Sequence, residues 1–128
     1  IPEEFDVQRL LKVWTKFSHY RDHSKWDNNF RYNYAMMLMN QEEFLTNDVI
    51  ILKEASSLSS RIATIHLHVY KSDKEIDEFI QQHQKDIQVV VGRPRIDERT
   101  DVGFGESQRP GLSDYADHID TLKFLTNL

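Results

Sequence analysis

The residues best suited to holding a charged ligand here are arginines. Arg61, Arg93, Arg95, Arg99 and Arg109 all fall in segments without periodic apolar spacing, and a guanidinium fork can hold phosphate oxygens two at a time. Arg93 and Arg109 are the candidates for such a contact. Asp97, Glu98 and Asp101 are interspersed with these arginines, and mixed charge on a loop is more often a solvated surface than a binding site. Two histidine pairs also carry chemistry. His66 and His68 share a strand face, and His19 and His23 share helical spacing, so either pair offers imidazole nitrogens to a metal. No carboxylate or cysteine cluster brings either pair to the three or four ligands a metal needs. The chain has no cysteine. That rules out disulfides and cysteine-bound metal centres and agrees with a cytoplasmic protein.

The elements that would position these groups follow from apolar spacing. Val7, Leu10, Leu11, Trp14 and Phe17 recur at helical intervals behind Asp6, a good N-cap, so residues 6–18 are expected to form an amphipathic helix. The following segment mixes polar and aromatic residues without a period. Asn28 and Asn29 favour a turn, and YAMMLM at 34–39 reads as a buried strand. Residues 48–53 form a short apolar run expected to be an interior strand, and ASSLSSR after it a loop. Residues 64–70 alternate, with Ile65, Leu67 and Val69 on one side and Thr64, His66, His68 and Tyr70 on the other. Ser72 and Glu75 make a capping box for a helix running to about Gln84, and residues 86–91 read as another strand. Strand, helix and strand imply a parallel unit with a right-handed crossover. Residues 92–111 hold all four glycines and two of the three prolines, the composition of a functional loop. Beyond them a helical turn at 112–116 and a strand at 119–125 are expected. The class is α/β, in one domain over residues 1–128.

Composition bounds the function. A chain of 128 residues, 39% hydrophobic and 11% aromatic, can bury a core. A net charge of -5 disfavours general attraction to nucleic acid or to anionic lipid. The apolar runs are far below membrane-spanning length, and no cationic segment precedes one. Ile1 followed by Pro2 is not an ordinary translation start, so further polypeptide is expected upstream.

FGESQRPGLSDYADHIDTLKFL, residues 104–125, resembles the C-terminal end of the acyl-CoA reductases, the group that includes the fatty-acid reductase of bacterial luminescence, and through them the aldehyde dehydrogenase superfamily. The resemblance rests on an FGxxQ and a DYADxxDT pattern, and HSKWDNNFRYN (23–33), LKE (52–54) and IQVVVG (87–92) extend it over almost the whole chain. It implies an aldehyde dehydrogenase catalytic-domain-like fold with a mixed sheet and flanking helices. The implied activity is NADPH-dependent reduction of a fatty acyl thioester, from acyl-CoA or another acyl carrier, to an aldehyde. In such enzymes a cysteine thiolate attacks the thioester carbonyl and the acyl-enzyme then accepts hydride. With no cysteine present, this chain would be the part downstream of the nucleophile and inert alone.

The resemblance also assigns roles. Phe104 and Gly105 would lie beside the substrate, the ring packing on the acyl chain and the glycine allowing close backbone approach. Arg93 and Arg109 would meet phosphates of coenzyme A or of the NADPH ribose. Glu54 would hydrogen-bond the nicotinamide ribose, a role suited to an acceptor-only carboxylate. The Phe, Gly and Pro that ordinarily follow that glutamate are replaced here by ASSLSSR, and a solvated carboxylate at a strand end is the alternative. HSKWDNNFRYN carries no derived chemical role and is expected to hold a turn and pack a core. Two other readings of the chain remain: a stand-alone α/β module that binds a ligand or protein through the 92–111 loop without catalysis, and an element of homo-oligomer formation through an exposed strand.

Overall fold

A computed structural model describes residues 1–93, 102–112, 115 and 119–127. The chain divides into two compact units, Ile1–Ser72 and Asp73–Leu128. Helices combine with a small three-stranded mixed sheet, an α/β arrangement in the general sense.

The first unit opens with α1, Val7–Trp14, which starts where expected because the Asp6 carboxylate accepts from the Gln8 amide at 3.0 Å. It ends earlier than its apolar spacing suggests. From Thr15 to Asp22 the chain tightens into a 3-10 helix. The Thr15 hydroxyl donates to the Lys12 carbonyl at 2.7 Å, the side-chain competition that loosens an α-helical turn.

The next element corrects two expectations. Residues 34–39 are not a strand, and Asn28 and Asn29 do not turn the chain: α2 runs unbroken from Ser24 to Met39. His23 Nδ1 accepts from the Trp26 amide at 3.4 Å, and Asp27 and Arg31 pair across one turn at 2.6 Å. The Asn29 side-chain amide donates to the Lys25 carbonyl at 2.7 Å, so an asparagine expected to break the helix bonds along it. Trp26, Phe30, Asn33 and Met37 follow the helical period onto the inner face, and Tyr32, Leu38 and Met39 are exposed. The six apolar letters at 34–39 therefore belong to both faces of a helix. A left-handed Gln41 at φ 55° ends it, with the Glu42 amide donating to the Met37 carbonyl at 2.9 Å and the Gln41 amide to the Leu38 carbonyl at 3.1 Å, the Schellman closure made without glycine.

The sheet holds β1 (Leu45–Thr46), β2 (Ile51–Glu54) and β3 (Thr64–Leu67) in that order. β1 is antiparallel to β2, and β2 is parallel to β3 with Ile51 opposite Thr64 and Glu54 opposite Leu67. Asn47 organises the turn into β2: its side-chain oxygen accepts from the Val49 and Ile50 amides, and its NH₂ donates to the Leu11 carbonyl at 2.9 Å. Ile51 joins Phe30, Met37 and Ala63 in the core, with Trp26, Tyr34 and Phe44 packed against it. Lys53, two positions along β2, pairs with Glu42. Pro2 forms a parallel bridge with Tyr70.

The second unit contains α3, Asp73–Gln82, as its spacing predicts. Residues 86–91 are not a strand. The Asp86 and Ile87 amides return to the His83 carbonyl at 2.9 and 3.0 Å, which turns the chain, and among the described residues this stretch makes a single parallel bridge, Val91 with Val102. The expected strand, helix and strand unit is therefore absent among the described residues, and the parallel partner of β3 is β2. Residues 119–125 also depart from expectation. The Asp120 carboxylate accepts from the Lys123 amide at 2.9 Å and starts α4, Thr121–Thr126. Ile119, Leu122 and Leu125 recur at a helical interval of three, which suits α4 better than a strand. The turn expected at 112–116 lies mostly outside the described residues.

Candidate functional site

Glu54 closes β2 and is exposed. It stands at the carboxyl end of a strand paired in parallel, the end at which open α/β sheets bind ligands. Beside it lies a cleft of about 270 Å³ whose walls include Val7, Phe44, Leu52, Leu67 and Val69, with Glu43 as the second carboxylate. Alternation along β2 and β3 explains the walls: Leu52, Glu54, Ile65 and Leu67 share the sheet face opposite to the one carrying Ile51. An acceptor-only carboxylate above an apolar floor suits a hydroxyl-bearing ligand with one flat apolar surface.

The other candidates lie in the second unit. Phe104 is 72% exposed. Gly105 takes φ +83°, and a Cβ built there would meet nothing within 4 Å. The Glu106 amide donates to the Gly103 carbonyl at 3.2 Å, and the Arg109 amide to the Glu106 carbonyl at 2.9 Å, so the segment is two successive turns. Glycine is required by the backbone, since other residues reach that φ only with strain. The corner holds Phe104 out in solvent and sets Arg109 against Glu106, with Nη1 3.4 Å from Oε1 and the arginine side chain 75% exposed. Such an exposed pair contributes little to stability and leaves the guanidinium accessible to an anion. Arg93 is exposed at the start of the same loop. Arg95 and Arg99 lie outside the described residues.

The histidines have other partners. His66 Nδ1 bonds the Ser57 carbonyl at 2.8 Å, His23 caps α2, and the His19 ring lies tilted against Tyr20 with ring centres 4.8 Å apart. Among the described residues no group of three or more histidines and acids converges as metal ligands would. HSKWDNNFRYN is structural: the Trp26 indole N–H donates to the Val49 carbonyl at 2.9 Å, and buried Asn33 donates to the Ile62 carbonyl at 2.9 Å, fixing the residues that enter β2 and β3. No helix among the described residues is long and apolar enough to cross a membrane.

One feature escapes a reading by helical spacing. A second, almost wholly apolar cleft of about 360 Å³ is lined by Trp14, Phe17, Tyr20 and Trp26 with Val49, Ile50 and Ile65. Its signal in the sequence is an aromatic residue at every third position from 14 to 20. Comparison with protein-family models, with curated proteins and with solved structures found no match to this chain.

Proposed function

We propose that this chain is the downstream part of the catalytic domain of an NADPH-dependent reductase that converts a fatty acyl thioester to an aldehyde, the attacking cysteine being supplied by polypeptide outside it. The observation that carries this reading is Glu54: an exposed carboxylate at the carboxyl end of a parallel strand, beside a cleft whose floor is apolar. The residues fit part of the cofactor. Two carboxylates, Glu54 and Glu43, offer acceptors to ribose hydroxyls, and Leu52, Leu67 and Val69 offer a surface to a flat ring. No lysine or arginine side chain lines this cleft; Arg93 and Arg109, in the second unit, are separate candidates for phosphate contact. When bound, NADPH supplies the hydride for the reduction. The part played by this chain is to orient the ribose through Glu54 and to present Phe104 and Gly105 to the acyl group.

The test uses the complete polypeptide that carries this chain, with NADPH and a long-chain acyl-CoA. Thioester-dependent NADPH oxidation is expected. Glu54→Gln keeps the size and removes the charge, and should raise KM for NADPH by about tenfold with little change for the thioester, the cost of one charge-assisted hydrogen bond. Phe104→Ala should weaken use of the thioester more than use of NADPH. A complete polypeptide that oxidises no NADPH with any thioester would remove the reading.

A further inference from the structure

The aromatic cleft has no part in the roles assigned above. Its lining is arranged by an unusual backbone. Trp14, Phe17 and Tyr20 are spaced by three; at 3.6 residues per turn such a triplet fans around the axis, and at three per turn it stacks into a row. The chain leaves the α-helix at Thr15 and keeps 3-10 geometry to Asp22, although 3-10 runs beyond about 3–4 residues are uncommon because their hydrogen bonds are poorer. The row faces Trp26, Val49, Ile50 and Ile65. Phe17 remains 38% and Tyr20 44% exposed. No lining side chain is charged, and the Trp26 indole N–H is already bonded to Val49. Lys16, its Nζ 5.0 Å from the Phe17 ring centre, has no ion pair among the described residues.

We propose that this cleft binds the hydrocarbon chain of a fatty acyl ligand, with the ligand's polar head toward Lys16. The identity of the chain rests on the thioester-reductase reading; the existence of the site does not. The volume, about 360 Å³, lies within the range of about 300–1,000 Å³ typical of small-ligand sites. The rings favour a flexible chain over a flat one. Phe17 and Tyr20 meet edge to face at 71°, and Tyr20 and Trp26 are tilted by 56°, so the wall alternates edges with faces and offers no parallel slot. An alkyl chain fills such relief by rotation about its own bonds and gains from every methylene removed from water.

The chain carries two tryptophans, and both line this cleft, so their emission reports its occupancy. The full chain is titrated with laurate brominated at its terminal carbon, below the micellar range. Saturable quenching of most of the emission, reversed by unlabelled laurate, is expected. Phe17→Glu puts a carboxylate among apolar walls at a position open enough to leave the fold intact, which circular dichroism checks, and should weaken binding by about tenfold or more. Lys16→Met should weaken laurate and leave lauryl alcohol unchanged. Quenching that never saturates, that survives Phe17→Glu, or that gives way to a planar naphthalene probe binding where laurate does not, overturns the proposal. So does emission that changes with protein concentration alone, which would put a second copy in the cleft. Laurate binding in a polypeptide without thioester-dependent NADPH oxidation would keep the site and remove the reductase reading; the opposite result would do the reverse.

Discussion

Between Ile1 and Ser72 the chain holds Phe30, Met37, Val49, Ile51 and Leu52 at 7% exposure or less, whereas from Asp73 onward no described residue is buried, and Phe104, Leu112, Leu122 and Phe124 are each more than half exposed. Both units have amphipathic helices. Among the described residues only the first has a sheet to lay them on, and most helix stability in proteins comes from packing an apolar face rather than from propensity. In the first unit polar groups reinforce that packing, with Asn33, Asn47 and Trp26 each holding a carbonyl some distance away in sequence. In the second, the two helices are supported locally by the Asp120 cap of α4 and the exposed Lys74–Glu78 pair on α3 at 3.4 Å, worth about 1 kcal/mol and a few tenths respectively. The difference teaches that caps and surface pairs start a helix without giving it a core.

The sharpest way to break that contrast is at Ile51, which is fully buried. Ile51→Ala should cost about 2–5 kcal/mol, the transfer and cavity cost of a buried aliphatic side chain, read by urea unfolding followed through tryptophan emission. A loss below about 1 kcal/mol would mean that the site collapses and the core is not a packed one. Asn33→Leu comes next. It removes the donor to the Ile62 carbonyl beside buried Ala63, and should cost about 1–3 kcal/mol in the same assay.

Acid sharpens the comparison further. The Lys53 ammonium beside Glu42, aided by the Asn40 amide, holds the Glu42 carboxyl below its usual range. A depressed carboxyl contributes stability above its unfolded pKa and loses it as pH falls through the folded value. The stability difference between the protein and Lys53→Met should therefore be complete near neutrality and shrink on acidification below the ordinary glutamate range. A constant difference across that window would show that Lys53 acts through packing instead. The smallest effect is expected in the second unit, where Leu122 is 67% exposed. Leu122→Ser should leave the unfolding free energy from urea within about 0.5 kcal/mol of the parent; a larger loss would show that this face is covered in solution and would erase the contrast.

Elements with one clear period and one clear cap were legible in the letters: α1 behind Asp6, the buried start of β2, the parallel-paired stretch of β3, and α3. Those that failed share a cause. In α2 the inner face is read at Trp26, Phe30, Asn33 and Met37, and its third member is an asparagine whose reason for burial, the Ile62 carbonyl, is distant in sequence. Apolar residues on the outer face of the same helix then turned 34–39 into an apparent strand. At 119–125 the strand expectation passed over the interval of three at Ile119, Leu122 and Leu125 and the Asp120 carboxylate that caps the first turn of α4. Glu54 was legible as a carboxylate at a strand end because strand and loop compositions differ sharply there. The cleft beside it was not, since its walls come from α1, β1, β2 and β3 together.

By itself the sequence determined that α1, β2, β3 and α3 exist and their type, though α1 was expected to run to 18, β2 to start at 48 and β3 to reach 70, whereas they span Val7–Trp14, Ile51–Glu54 and Thr64–Leu67. It also determined that a carboxylate stands where β2 ends and that no thiol chemistry resides here. Each of these depends on a residue and its near neighbours. Tertiary structure alone decided that β2 and β3 pair in parallel, that α2 is one helix, and that Trp14, Phe17 and Tyr20 stand in a row facing Trp26. The physical reason is that strand pairing and the choice between 3.6 and three residues per turn are settled by differences of a few kcal/mol or less, supplied by contacts between segments far apart in the chain.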